Sequence, residues 1–110
     1  MEKSKKVGTL FVVSTPIGNL KDITLRAIET LRAVDVIAGE DTRITKRLMS
    51  AHGISGQLIS YREHNRQRAG RDIIEALHQG KDVALVTDAG TPGVSDPGQY
   101  LIAGCIDEAI

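Results

Sequence analysis

The sequence has no tryptophan, one phenylalanine, two tyrosines, one cysteine and three prolines among 110 residues. With Phe11, Tyr61 and Tyr100 as its only aromatic side chains, it offers no stacking platform for single-stranded nucleic acid. A single cysteine, Cys105, excludes an internal disulfide and suits a reducing compartment. It falls on the apolar face of a predicted helix, the place of a small buried thiol rather than of a nucleophile. Net charge is missing as well. Fourteen basic residues balance fourteen acidic ones, so no global field points to nucleic acid or membrane, and charge arguments must be local. No apolar run approaches the roughly 20 residues of a membrane span, and the basic start at Met1–Lys6 lacks the apolar core of a secretory signal. A cytoplasmic protein of one domain is expected, with residues 1–7 as a flexible tail. His52, His64 and His78 have no cysteine or second carboxylate at ligand spacing, so no metal is expected.

What is present is a strict alternation of two periodicities. Leu10–Val13 and Val83–Val86 are continuous apolar runs rich in β-branched residues, the pattern of strands covered on both faces. Val36-Ile37-Ala38 reads as a short strand of the same kind, and Leu58, Ile59 and Tyr61 as a weaker one at a sheet edge. Between them lie helical stripes. Leu25, Ile28 and Leu31 follow a possible N-cap at Asp22, with Ala27 and Val34 beside them. Ile44, Leu48 and Ala51 form a narrow face ended by Gly53, and Ile73, Ile74 and Leu77 another ended by Gly80. Leu101, Ile102, Cys105, Ile106 and Ala109 form the clearest stripe, and the chain stops on it without a capping signal, as though cut within a longer protein. Strands alternating with helices predict an α/β domain with a parallel four-stranded sheet flanked by helices.

Loops at the carboxyl ends of such strands are where open α/β sheets bind ligands. After the last strand comes Asp88-Ala89-Gly90-Thr91-Pro92-Gly93-Val94-Ser95-Asp96-Pro97-Gly98, and after the first Ser14-Thr15-Pro16-Ile17-Gly18-Asn19-Leu20. Their glycines and prolines leave two readings open, a loop whose backbone approaches a ligand and a plain strand-to-helix turn. Neither G-x-G-x-x-G nor G-x-x-x-x-G-K occurs, which disfavours a pyrophosphate ligand but leaves an adenosine-type one. Gly39-Glu40-Asp41-Thr42-Arg43 brings adjacent carboxylates to a third strand end. In extended backbone they point apart, so one can orient a ligand hydroxyl while Asp41 caps the next helix. Arg62, Arg66, Arg68 and Arg71, with His64 and Asn65, are either phosphate contacts or a solvated helix start.

These four segments, in this order and spacing, resemble the amino-terminal domain of the ribosomal RNA methyltransferases of the tetrapyrrole methylase superfamily. The resemblance runs from about Gly8 to the last residue. It implies the amino-terminal half of a two-domain fold, with the sheet in the order 3-2-4-1, the second domain being absent from residues 1–110. By the same resemblance, S-adenosylmethionine donates a methyl group to the ribose 2′-oxygen of a cytidine in small-subunit (16S) ribosomal RNA, and the protein is a homodimer. Cofactor contacts then fall to Pro16, Gly18, Asp88, Ala89, Gly90, Thr91, Pro92 and Gly93, and RNA contacts to Arg43, Arg62, His64, Asn65 and Arg66. Glu40, Asp41 and His64 are the candidate proton acceptors. The chain alone is expected to be inactive. Where tetrapyrrole enzymes generally carry Gly-Asp-Pro, this sequence has Gly90-Thr91-Pro92, which favours the RNA branch over a porphyrin-type substrate. Alternatives are a methylase of a tetrapyrrole or other small molecule, and a non-catalytic RNA-binding or oligomerisation domain.

Overall fold

In a computed structural model, which describes residues 7–15 and 23–88, the chain forms a parallel sheet with helices on both faces. The strands are β1 (Leu10–Thr15), β2 (Val36–Gly39), β3 (Gln57–Ser60) and β4 (Val83–Asp88). The helices are α1 (Leu25–Ala33), α2 (Thr42–Ala51) and α3 (Arg66–His78), the last preceded by a 3-10 turn at Glu63–Asn65. All strand pairings are parallel and the spatial order is β1-β4-β2-β3, the order the resemblance implied. Pro16, Gly18, Asp22, the loop from Ala89 onward and the expected helix at Leu101–Ala109 lie outside the described residues.

Alternation along each strand divides the apolar side chains between two cores. Ile37, Ala84 and Val86 face α1 and α2, where they pack with Leu31, Leu48 and Met49. Val36, Ala38, Val83 and Leu85 face α3 and pack with Tyr61, Ile73 and Leu77. Having both faces covered is why β2 and β4 read as unbroken apolar runs. The edge strands differ. β3 is half-polar, while β1 leaves Phe11 38% and Val12 44% exposed.

Helix docking shifts two of the expected stripes. α1 is capped by the Thr24 side chain, which accepts from the Ala27 amide at 3.1 Å, and it buries Ala27 and Leu31. Leu25 is 78% exposed, although its spacing fits the stripe. On α2 the buried set is Thr45, Leu48 and Met49, and both Ile44 and Ala51 are exposed. In each helix the displaced leading residue lies in the first turn. α3 keeps Ile73 and Leu77 and adds Ala69 and Gly70, with Ile74 only partly buried. Gly53 and Gly80, at φ 64 and 88, take the left-handed step that ends α2 and α3.

The amino edge of the sheet is fastened by two carboxylates. Asp82 Oδ1 accepts from the Thr9 amide at 2.8 Å, and Asp35 Oδ2 accepts from the Asp82 amide at 2.9 Å. These bonds set the strand starts and leave the opposite, carboxyl edge for loops.

Candidate functional site

Parallel register places the carboxyl ends of the strands side by side. Ser14 pairs with Thr87 and Thr15 with Asp88, so the chain leaves β1 and β4 from adjacent backbone positions. β2 follows on the other side of β4, and β3 comes last. The rim therefore reads, in space, as the exits of β1 and β4, then the Glu40-Asp41 corner, then the basic segment from Arg62. At roughly 4.8 Å per strand, β4 and β3 stand about 10 Å apart.

The corner after β2 is built by a short network. Asp41 is the N-cap of α2, and its Oδ1 accepts from the amides of Arg43 at 3.0 Å and Ile44 at 3.3 Å. Such a cap contributes about 1 kcal/mol to helix stability. The carbonyl of Asp41 accepts from the Thr45 hydroxyl at 3.1 Å. Gly39 lies under that hydroxyl: a Cβ there would stand 2.7 Å from Thr45 Oγ1. The corner thus needs glycine for close approach. Glu40 is exposed and, among the described residues, its carboxylate makes no hydrogen bond or ion pair. Of the adjacent carboxylates, Asp41 is committed to the helix and Glu40 faces solvent.

The β3 exit is fastened to this corner. Tyr61, fully buried, donates its amide to the Gly39 carbonyl at 2.9 Å, extending the ladder one step beyond the strand. Arg62 Nε donates to the Glu40 carbonyl at 2.6 Å. The Asn65 amide group closes the turn from both sides: Oδ1 accepts from the Arg62 amide at 2.6 Å, and Nδ2 donates to the Ser60 carbonyl at 3.1 Å. Two of the five residues expected to meet RNA, Arg62 and Asn65, thus hold backbone of their own chain. Arg43 approaches Asp41 Oδ1 at 3.8 Å but remains 89% exposed, a contact worth little in stability. His64 is exposed on the 3-10 turn.

Missing from the expected site residues are Gly39 and Thr45, whose contact supports the acidic corner. Their sequence signal is slight. A glycine at a strand end and a threonine one turn into a helix are each ordinary, and only the packing joins them. Among the described residues, no group of His, Cys, Asp or Glu is arranged to hold a metal ion, and no helix is long and apolar enough to cross a membrane.

An open parallel α/β sheet with its loops and polar corner on the carboxyl rim defines the class, and the sequence comparison agrees. The chain belongs to the tetrapyrrole (corrin/porphyrin) methylases, whose family pattern matches residues 9–109. Within the family it is 52% identical over 103 residues to the ribosomal RNA small subunit methyltransferase I of Halalkalibacterium halodurans, covering 94% of this chain and 36% of that protein. The Bacillus subtilis protein of the same name is 52% identical over 101 residues, covering 92% of this chain and 35% of that protein. That of Escherichia coli O157:H7 is 48% identical over 103 residues, with 94% and 36% covered. The chain spans about a third of the length of these curated relatives.

Among solved structures, a conserved hypothetical protein of Aeropyrum pernix K1 superposes with a TM-score of 0.66 at 20% identity, over 96% of this chain and 37% of that one. A putative diphthine synthase of Entamoeba histolytica gives 0.55 at 19%, over 94% and 38%. Both share the fold.

Proposed function

We propose that the protein containing this chain transfers a methyl group from S-adenosylmethionine to the ribose 2′-oxygen of a cytidine in small-subunit ribosomal RNA, as a cytoplasmic homodimer. The observation that carries the reading is the pairing of Thr15 with Asp88, which sets the β1 and β4 exits together at the rim. From those exits lead the two loops that resemble cofactor loops, so Pro16, Gly18, Asp88 and Ala89–Gly93 are the residues proposed to hold S-adenosylmethionine. The names of the relatives support the RNA substrate. So does the basic segment from Arg62, which begins on the same rim.

The cofactor supplies an already activated sulfonium methyl group. What remains for the protein is alignment, exclusion of water and acceptance of one proton from the ribose hydroxyl. The contacts around Gly39, Thr45 and Arg62 tie the corner together, and Glu40 is exposed on it with its carboxylate unengaged among the described residues. Glu40 is the proposed proton acceptor. Asp41 is bound to two amides as a cap, and His64 stands farther along the rim.

The reading is tested with full-length protein, labelled S-adenosylmethionine and small ribosomal subunits lacking the modification. Label should enter one ribose 2′-oxygen of the RNA. Transfer to a tetrapyrrole or other small molecule instead would replace this reading with the small-molecule alternative, and RNA binding without transfer would replace it with the non-catalytic one.

A further inference from the structure

We propose that the pocket at the β3 exit seats the phosphodiester backbone of the RNA substrate, with Arg68 and Arg71 as its phosphate-binding side chains. The proposal deepens the RNA reading above and rests on it. Residues 62–71 carry four arginines and one acid, whereas the rest of the chain carries ten basic and thirteen acidic residues. Those arginines are not equivalent in the fold. Arg62 is engaged with the Glu40 carbonyl, and Arg66 is half-buried. Arg68 and Arg71 project from α3 into solvent and, among the described residues, make no hydrogen bond or ion pair.

Three residues apart on a helix, they are neighbours about 5–6 Å apart at Cβ. Asp72 and Glu75 stand at helical spacing to neutralise them, yet no ion pair forms. Those acids line the adjoining groove beneath β3, which Asn65 and Arg68 also border on one side, with Gln57 and Lys81. Both arginines, with His64, Asn65, Arg66 and Gln67, border a second pocket of about 360 Å³ that shares only Asn65 and Arg68 with that groove. Among the described residues its lining has no acidic and no aromatic side chain. Such a site attracts phosphate by charge and reads no base, the division of labour expected where backbone contacts set position and other groups choose the nucleotide. The β3 exit that leads into it lies about two strand spacings from the β4 exit, so the seat is set to one side of the proposed cofactor loops.

The test measures binding of a small-subunit ribosomal RNA fragment by the full-length protein across a salt series. R68Q/R71Q should weaken binding several-fold, irrespective of sequence, and lower the slope of log K against log salt by about 0.7 per arginine lost. In methyl transfer KM for the subunit should rise with kcat retained. R68K/R71K should restore the slope, and K46Q on α2 should leave it unchanged. An unchanged slope in R68Q/R71Q, with wild-type binding intact, overturns the seat and spares the RNA reading. Wild-type protein that binds no ribosomal RNA overturns both. Competition by millimolar inorganic phosphate at constant ionic strength would assign the pocket to a small phosphate ligand and overturn the proposal.

Discussion

Arg62 Nε lies 2.6 Å from the carbonyl oxygen of Glu40, a bond that joins the exits of β2 and β3 across 22 residues of sequence. It gives an arginine expected to contact RNA a bond to its own chain at the acidic corner. R62Q is expected to lower stability by about 1 kcal/mol, since the bond is charge-assisted but exposed. It should also lower kcat, while the salt slope of RNA binding stays as in wild type. A slope reduced as in R68Q/R71Q would instead make Arg62 a phosphate contact.

The Gly39–Thr45 contact predicts a coupled pair. G39A forces a methyl group to within 2.7 Å of Thr45 Oγ1 and should cost roughly 1–3 kcal/mol, as overpacking does. T45A loses one hydroxyl bond, about 1 kcal/mol. In the T45A background G39A should be tolerated better, with a coupling on the order of 1 kcal/mol. Urea unfolding of the wild type and the three variants measures it, and strict additivity would show that the helix moves away freely.

Glu40 and Asp41 should separate by readout. D41N keeps an equally good cap and should leave stability and methyl transfer near wild type, whereas D41A should lose about 1 kcal/mol of stability. E40Q should leave thermal unfolding unchanged and depress kcat with little change in KM. If D41N is the variant that loses turnover, the roles assigned to these two carboxylates are reversed.

Residues 1–110 expressed alone should fold, bind S-adenosylmethionine poorly and transfer no methyl group. Pockets bury about 70–90% of a ligand of this size, and on the proposed two-domain reading this chain supplies only one wall of the cofactor cleft. The exposed edge of β1, with Phe11 and Val12, should make the isolated chain self-associate, and V12K should reduce this. Calorimetry and sedimentation decide both points. Tight cofactor binding by the isolated chain would contradict the two-walled cleft.

What the sequence by itself determined is local and two-sided. The unbroken apolar runs of β2 and β4 announce strands buried on both faces. Gly53 and Gly80 stop helices because a left-handed residue costs glycine little, and Asp41 caps α2 through amides two and three residues away. The sheet order came from family resemblance, since periodicity is blind to which strand lies beside which. Tertiary structure alone decided which apolar residues of a stripe are buried. A 3.6-residue period admits Leu25 and Ile44 to the stripes, and in the packed fold both are exposed. It also sorted the charged groups. Arg62, Arg68 and Arg71 are alike in sequence, and only the proximity of the Glu40 carbonyl diverts the first to a structural bond while the others stay in solvent. Partners separated by 22 residues are chosen by the packing of β2 against β3, and no local pattern encodes that choice.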